Sequence, residues 1–470
     1  MSRRMALPAL ALGVAALLPA AGLDAAPAKP RAAPTAPWLE EPFPSTYAPR
    51  ARHDVLIAHA TVLDGAGGRL DDGDVLLQNG RVVALGHGLK APPGAETVDA
   101  HGRWVTPGLI DVHSHDGTYV LPLTDIDEDS SDVSELETPN SANIRIENAI
   151  NPQDAAFQRA LENGVTTLQV LPGSTPIFSG QAVVLKPLIA PSVAAMKFPA
   201  APSGFKMACG ENPKSFDAEQ KRGPTSRAGE IAYIRQAFLD AQRYREEWRA
   251  WAAGRTAEPP RRDLKMEALV NILEGRLRIN MHCYRSDEMA NMLAVAQEFG
   301  FHLTAFHHAT EAYKIPGLLR AAGTCAAVWG DWWGFKMEAL DGIRANAPLL
   351  DKAGVCVTMH SDSPVSGQRL AIDAATAAAA GRAVGIALPP ERLIRWVTGN
   401  SAHMLGLEDR IGRLAPGYNA DVVVWSGNPF SIYTKADLVL IDGALVFDRA
   451  HPPAHAPSDF ELGREGVPLP

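Results

Sequence analysis

Residues 105–115 read VTPGLIDVHSH, an apolar run of strand type that ends in two histidines one residue apart. In a β-strand, residues i and i+2 point to the same face, so His113 and His115 are expected to converge. Two imidazoles at this spacing can bind one Zn²⁺ or similar divalent cation, and a catalytic site keeps a further position open for water. Two solvent-exposed histidines in a loop would have the same sequence, so other segments of the chain are needed to distinguish the two interpretations.

Short apolar strands alternate with amphipathic helices from this stretch to about residue 400, which predicts a parallel α/β unit. Eight strands, the number that closes a parallel barrel, are predicted at 108–115, 165–172, 181–186, 204–211, 277–284, 302–308, 324–330 and 355–362. Active sites of such barrels lie at the carboxyl ends of the strands. The residues that end these apolar strands are of metal-binding types: His113, His115, Glu211, His282, His307, His308 and Asp362.

The segments on either side of the barrel are rich in strands and hairpin turns, such as QNGR at 78–81 and DG at 442–443. Neither segment alone buries two faces, so the two are predicted to pair into one small β-sandwich. The predicted fold is therefore α/β, a (β/α)8 TIM-type barrel with a small β-sandwich domain formed from N- and C-terminal segments. The expected boundaries are 54–107 and 408–450 for the sandwich and 108–407 for the barrel, with a C-terminal tail at 451–470.

Residues 1–26 have the composition of a secretory signal peptide, with basic residues, an apolar stretch and then small residues. Arg3 and Arg4 also fit a twin-arginine export signal, and an uncleaved membrane anchor is a further alternative. Residues 27–53 are rich in Pro and Ala and predict an irregular lead-in. We therefore expect an exported, periplasmic protein that has no membrane segment after cleavage.

Charge and cysteine content narrow the class of protein. The 470 residues carry a formal net charge of −9, which argues against a nucleic-acid partner because a basic face is missing. The four cysteines, Cys209, Cys283, Cys325 and Cys356, form no CxxC pair. We interpret them as buried small apolar residues, and the sequence does not predict whether they form disulfides.

The motifs VTPGLIDVHSH and GRLAPGYNADVVVWS (412–426) resemble those of the amidohydrolase superfamily, metal-dependent hydrolases on a (β/α)8 barrel. LPGS, GENPK, RDLKMEAL, ATEAYKI and GLEDRIGRLAPG resemble, more narrowly, the imidazolonepropionase-related members. The resemblance covers about residues 54–450. It implies that His113, His115, His282, His308 and Asp362 are metal ligands, that the metal is Zn²⁺ as one or two ions, and that the protein forms a homo-oligomer.

The chemistry of these residue types agrees with the implied roles. A bound divalent cation lowers the pKa of its water to roughly 7, so that hydroxide is available at neutral pH. Asp362 would take a proton from that water and pass it to the leaving amine. An Asp before Ser363-Pro364 also fits a simple turn, and only the neighbouring histidines favour the catalytic role.

Two positions stay open at the level of sequence. His307 faces the opposite way from His308 on a strand, and it either orients another group or packs in the core. Glu211 is a candidate ligand that could bridge two metal ions. Lys206 is its rival, since several relatives use a carbamylated lysine. We favour Glu211 because Lys206 starts its predicted strand.

Further residues are candidates for substrate contacts. Tyr284 could polarise a substrate carbonyl, and Arg285 could bind a substrate carboxylate through two hydrogen bonds. Gln181 is expected to line the site by resemblance only. The aromatic run at 329–335, with three tryptophans, could form a wall for an apolar substrate group or pack the barrel.

These observations favour a metal-dependent hydrolase that cleaves the C–N bond of a small amide, dipeptide-like or cyclic substrate. Deamination or lactone hydrolysis on the same centre is the enzymatic alternative, because loops choose the substrate. A periplasmic binding protein that retains a metal without turnover is the alternative from another class. Asp362 counts against it, since a binding protein has no need of a proton shuttle.

Overall fold

A computed structural model describes residues 36–39, 41–119, 121, 124–332 and 334–452. The predicted signal peptide, most of the N-terminal lead-in, Trp333 and the residues after 452 lie outside this part of the chain. Among the helices of the described residues, none combines the length and apolar character needed to cross a membrane.

The described chain contains sixteen strands and eleven α-helices, together with short 3-10 helices. The strands are β1 Val55–Leu63, β2 Arg69–Gln78, β3 Arg81–Gly86, β4 Glu96–Asp99, β5 Trp104–Pro107, β6 Leu109–Ser114, β7 Val165–Val170, β8 Phe178–Leu185, β9 Gly204–Ala208, β10 Arg278–Cys283, β11 Leu303–His308, β12 Cys325–Val328, β13 Val357–Met359, β14 Val422–Trp425, β15 Ala436–Ile441 and β16 Ala444–Asp448. The α-helices are α1 Asp125–Asp129, α2 Ala155–Glu162, α3 Glu211–Glu219, α4 Arg227–Ala252, α5 Leu264–Leu273, α6 Ser286–Phe299, α7 Pro316–Ala322, α8 Asn346–Lys352, α9 Leu370–Ala383, α10 Pro390–Leu393 and α11 Gly399–Leu405.

Strands β6 to β13 form one eight-stranded sheet in chain order, which confirms the predicted barrel. Every residue of β6, β7, β11 and β12 is buried, as expected for strands that are covered on both faces. Just past the strand ends, the Asp362 N–H donates to the His113 carbonyl at 2.9 Å. This bond joins the last strand of the sheet to the first, so the sheet is nearly closed.

One strand departs from the predicted parallel arrangement. β8 runs antiparallel to both of its neighbours, β7 and β9, whereas the other neighbouring strands are parallel. The link from β7 to β8 is only residues 171–177, which is too short for the helical crossover that a parallel pair requires. The irregular segment 186–203 then returns the chain to β9.

A second sheet combines strands from both ends of the described chain, in the order β16-β15-β14-β5-β1-β2-β3, with β4 beside β1. β5 pairs with β14 in antiparallel register, Pro107 opposite Val422 and Trp104 opposite Trp425. The predicted pairing of N- and C-terminal strands is therefore confirmed. Gly108 joins this sheet to β6, and a Cβ there would overlap the Thr166 side chain, which explains the glycine of the opening motif.

A buried ion cluster connects the barrel to the second sheet. The Lys186 side chain, fully buried after β8, places Nζ 2.9 Å from Asp442 Oδ2 and 3.3 Å from Asp421 Oδ2. The Tyr47 hydroxyl donates to Asp442 Oδ2 at 2.7 Å. Because Asp421 and Asp442 flank β14 and β15, this one ammonium holds the C-terminal strands against the barrel.

All four cysteines are paired, Cys209 with Cys283 and Cys325 with Cys356. The first pair joins the ends of β9 and β10, and the second joins β12 to the residue before β13. Cys209, Cys283 and Cys325 are buried as expected, and the two pairs answer the question of disulfides that the sequence left open. Both pairs link strands that neighbour each other in the sheet but are distant in sequence, which is why the spacing did not reveal them.

Replacement of the buried ammonium, Lys186→Met, is expected to destabilise the fold by about 3–5 kcal/mol, because two buried aspartates lose their counter-charge. The measurement is the free energy of unfolding in guanidinium chloride. Lys352→Met, at an exposed lysine at the end of α8, is the matched control and should change it little. Equal stability of the two variants would contradict the role assigned to Lys186.

Candidate metal centre

The side chains predicted from β6, β10, β11 and β13 meet at the carboxyl end of the barrel. His113 Nε2 lies 3.3 Å from His115 Nε2, and Asp362 Oδ1 lies 3.1 Å from both nitrogens. The ring of His308 lies 5.1 Å from that of His113 and 4.5 Å from that of His282, between centroids. The structure therefore brings together all five residues that the resemblance implied as ligands.

The hydrogen-bond partner of His115 defines which of its nitrogens is free. Its Nδ1 is 2.8 Å from the Leu171 carbonyl, which only accepts, so the ring hydrogen is on Nδ1 and Nε2 carries a lone pair.

For His113, a chain of hydrogen bonds from Asn280 through His307 (the relay) defines which ring nitrogen carries the hydrogen. Asn280 Oδ1 is 3.0 Å from His307 Nε2, and His307 Nδ1 is 2.9 Å from His113 Nδ1. The Asn280 amide nitrogen is near the Arg278 carbonyl and so donates there, which leaves Oδ1 to accept from His307. His307 then accepts from His113 Nδ1–H, so that His113 Nε2 is also a free acceptor. His307 is thus an orienting residue, one of the two roles left open by the sequence.

With both imidazoles in their neutral, metal-binding form, three acceptors consequently face one another at 3.1–3.3 Å, and a neighbouring donor is Lys206 Nζ, 3.3 Å from His113 Nε2. Zn²⁺ binds imidazole nitrogen at about 2.0–2.1 Å, which puts tetrahedral ligand atoms roughly 3.4 Å apart. A divalent cation therefore fits the spacing and would relieve the repulsion among the lone pairs.

His360 is a further member of the cluster that sequence reasoning missed. Ligand atoms of His113, His308 and His360 lie within 4.8 Å of one another, as do those of His113, His115 and Asp362. Both ring nitrogens of His360 and of His282, although buried, have no hydrogen-bond partner among the described residues. The i, i+2 spacing of His360 and Asp362 after β13 repeats that of His113 and His115, and was the available signal.

Burial favours the ligand form of these histidines. It is the largest cause that lowers the pKa of His113, His282 and His308 well below the ordinary value, and it lowers that of His360 to about 3. The rings are therefore neutral at pH 7 and keep a lone pair for a cation. Burial raises the pKa of Asp362, but the surrounding imidazoles favour its charged form and lower that pKa below the ordinary value, so its carboxylate is ionised.

Two of the cluster residues have left-handed backbone conformations, with φ of 66° at His308 and 59° at Asp362. Such conformations are uncommon for residues other than glycine and cluster at functional sites. At Asp362 the conformation is fixed by the N–H that donates to His113, and Ser361 Oγ donates to the same carbonyl at 3.2 Å.

The preference for Glu211 over Lys206 is not supported by the structure. Lys206 is the middle residue of β9, fully buried, with Nζ 3.3 Å from His113 Nε2 and 3.2 Å from the Pro172 carbonyl. Glu211 begins α3, and its Oε2 accepts from the Glu338 N–H at 3.2 Å. β9 starts at Gly204 and ends at Ala208, so the lysine points into the barrel and the glutamate falls beyond the strand.

A cavity of about 660 Å³ opens above the cluster. His115, Asn212, His282, Tyr284, His308 and Asp362 are part of its lining, together with residues 131, 133, 134 and 136 of the acidic loop after β6. Tyr284 is buried there, and burial is the largest cause that raises its pKa well above the ordinary value. Its hydroxyl is therefore a hydrogen-bond donor at neutral pH.

Arg285 and Gln181 are not part of this lining. Arg285 precedes α6 and binds Asp287 through two hydrogen bonds of 2.9 Å. Gln181 is on the antiparallel strand β8, where its Oε1 accepts from Arg145 at 2.9 Å. The structure therefore does not place these two residues in the lining of this cavity, and their substrate contacts stay predictions.

Aromatic rings form one side of the site. The Trp329 ring stacks on His308 with centroids 4.3 Å apart, and Trp332 stacks on Trp329 at 4.9 Å. Phe335 contacts Trp329 at 5.8 Å and Tyr284 at 6.3 Å. The aromatic run predicted from the sequence therefore packs on the cluster itself.

Comparison with known proteins gives consistent matches. Residues 318–447 match the model of the Amidohydrolase family. The crystal structure of an amidohydrolase from Thermotoga maritima MSB8 is similar, with 35% identity and a TM-score of 0.77 over 84% of this chain and 100% of its own.

Two curated relatives match by sequence. The amidohydrolase tasK of Hapsidospora irregularis is 31% identical over 435 residues, 87% of this chain and 42% of tasK. The N-acyl-D-aspartate deacylase of Alcaligenes xylosoxydans xylosoxydans is 46% identical over 71 residues, 15% of this chain and 14% of the deacylase. The chain thus spans less than half the length of these two relatives.

Removal of the relay, Asn280→Leu, is expected to weaken Zn²⁺ binding by about 10- to 100-fold, because His307 and then His113 lose their fixed hydrogen positions. The measurement is the Zn²⁺ dissociation constant in competition with a chelator. Asn271→Leu, on α5 and away from the cluster, is the control. Unchanged affinity in Asn280→Leu would show that the relay does not orient a ligand.

Proposed function

Because the chain belongs to the amidohydrolase superfamily, we propose that it hydrolyses the C–N bond of small amides with a divalent cation held at this centre. The observation that carries the proposal is the convergence of His113 Nε2, His115 Nε2 and Asp362 Oδ1 within 3.1–3.3 Å of one another, a spacing that suits the ligands of one divalent cation. The names of the two curated relatives, an amidohydrolase and a deacylase, support the class of reaction.

The ligands would come from the two overlapping groups, His113, His115 and Asp362 on one side and His113, His308 and His360 on the other. His282, buried with both nitrogens unpaired among the described residues, is a further candidate. Imidazole-rich sets of this kind favour Zn²⁺, and two overlapping groups leave room for one ion or two. The cation would supply Lewis acidity for the substrate carbonyl and a more acidic water.

Asp362 performs the proton transfers. Its ionised carboxylate, about one-fifth exposed, faces the cavity and accepts a proton from the attacking water. The protonated Asp362 carboxyl group then gives that proton to the leaving nitrogen, so the C–N bond breaks with an amine as the product. A binding protein without turnover would have no use for a carboxylate in this position.

Tyr284 stabilises the negative charge that develops on the carbonyl oxygen. Its protonated hydroxyl lies in the cavity lining beside His282, with ring centroids 4.7 Å apart. A donor fixed in a buried wall is already oriented when charge appears, which is the property that makes such donors effective.

Export to an oxidising compartment remains part of the proposal. The signal-like composition of residues 1–26 is one argument, and the residues concerned lie outside the described chain. The two cysteine pairs are a second argument, since disulfides persist in secreted and periplasmic proteins. Homo-oligomer formation stays a prediction.

The variant Asp362→Asn is expected to retain most of its Zn²⁺, because the histidines remain, and to lose turnover by at least about 10³-fold, because the proton shuttle is gone. Metal analysis of the purified protein and assays on dipeptides, N-acyl amino acids and cyclic amides test this. Asp341→Asn, at an exposed aspartate paired with Lys314, is the control. Full activity of Asp362→Asn would remove this residue from the mechanism.

The variant Tyr284→Phe is expected to lower kcat by about 10²-fold, because one donor to the oxyanion is lost. KM and Zn²⁺ content should change little, since the ring and its packing remain. Steady-state kinetics on the best substrate of the same panel measure this. A change in KM alone would instead place the hydroxyl in ground-state binding.

A further inference from the structure

Lys336 is a cation at the edge of the reaction cavity that the proposed reaction does not use. It follows β12 in the loop that carries the aromatic run, and its side chain is half-buried. Its Nζ donates to Asn212 Oδ1 and lies 4.1 Å from the centroid of the Tyr284 ring. Both contacted residues line the cavity and Lys336 does not, so the ammonium lies directly behind the Asn212 and Tyr284 side chains that face the substrate space.

Two neighbouring arginines are already paired with carboxylates. Arg285 is bound to Asp287, and Arg227 is bound to Glu288 and Glu338. Lys336, by contrast, has no carboxylate oxygen within 4.0 Å in the part of the chain that the structure describes. Its direct partners are the Asn212 amide oxygen and the Tyr284 and Phe335 rings, and Glu338, Glu211 and Asp362 act on it only from beyond that distance. An ammonium without a directly paired carboxylate keeps a preference for an anion.

The surroundings of Lys336 define what that anion would belong to. Phe335, half exposed, lies beside it with its ring centroid 5.8 Å from Nζ, and Trp329 and Trp332 continue the aromatic wall. A carboxylate next to an aromatic or aliphatic group would meet both features at once. That combination occurs in apolar amino acids linked through an amide.

We propose that Lys336 is a specificity-determining residue that binds a substrate carboxylate, so that the preferred substrates are small amides with a free carboxylate beside an apolar group. This inference rests on the proposed C–N hydrolase function and adds the substrate class. It gives Lys336 the role that the sequence suggested for Arg285. Electrostatic contacts of this kind decide between substrates because the competitor without the charge leaves the ammonium unpaired.

The test compares matched substrates that differ in one charge. Glycyl-L-phenylalanine is paired with glycyl-L-phenylalaninamide, and succinanilic acid with butyranilide, so that the carboxylate is on the amine side or on the acyl side of the scissile bond. In the Zn²⁺-loaded wild type, at least one carboxylate should be preferred to its neutral partner by about 10- to 100-fold in kcat/KM. Lys336→Met should abolish this preference through KM, whereas the neutral partner keeps its rate.

The neutral substrates also report on folding, because a damaged cavity would slow both members of a pair. Lys336→Arg should restore most of the preference by keeping the charge. Lys352→Met, remote from the cavity, should leave the preference unchanged. Loss of the preference in Arg285→Met with retention in Lys336→Met would overturn the assignment.

A binding experiment separates this inference from the proposed hydrolysis. Calorimetry of the same pairs with Zn²⁺-loaded Asp362→Asn, and with Asp362→Asn combined with Lys336→Met, measures recognition without turnover. Tighter binding of a carboxylate, lost with Lys336→Met, supports the inference even if the wild type hydrolyses none of the four compounds. Equal binding within each pair, or no binding of any carboxylate, overturns it whether or not hydrolysis is seen.

Discussion

The constraint on which the site depends is the mutual repulsion of buried acceptors. His113, His115 and Asp362 present lone pairs to one point at 3.1–3.3 Å, and the backbone and the His307 relay hold the ring hydrogens on the far side. In an apolar interior, unpaired acceptors destabilise the fold unless a cation is shared among them. The chain itself balances these acceptors only in part, through the Lys206 ammonium 3.3 Å from His113 Nε2, and a bound cation would balance the rest.

The barrel supports this arrangement through its closure. Asp362 is held where β13 returns to β6, by its own N–H on the His113 carbonyl, so ligand and strand junction are the same feature. Its backbone is left-handed, with φ of 59°, and its side chain is part of the cavity lining. A left-handed conformation at a residue other than glycine raises the free energy of the backbone. It persists here because two strands and the hydrogen bond of the buried Ser361 hydroxyl hold the main chain in place.

The sequence predicted the features that depend on the residue pattern along a single strand. It did not predict the features that depend on contacts with residues from other segments of the chain. The eight strand positions follow from the apolar runs, and seven candidate side chains follow from the polar residues at their ends, whereas the choice of five ligands among them was what the family resemblance implied. The reversal of β8 depends on a loop length, and the role of His307 depends on Asn280, 27 positions earlier and on the adjacent strand. Arg285 was predicted to bind a substrate carboxylate because the sequence does not show that its guanidinium already binds the Asp287 carboxylate. Only the side-chain conformations in the structure show that ion pair.

Lys206 is not one of the proposed ligands, but it also contacts the buried acceptors around the proposed cation. Burial lowers the pKa of its ammonium to about 8, and Nζ already lies 3.3 Å from the His113 nitrogen that faces the proposed cation. A divalent ion and a lysine ammonium cannot share that space, since their charges repel at short range with little solvent between them. Metal binding must therefore be linked to loss of the lysine proton. The product is a neutral amine, which no longer repels the cation and has a lone pair to offer it.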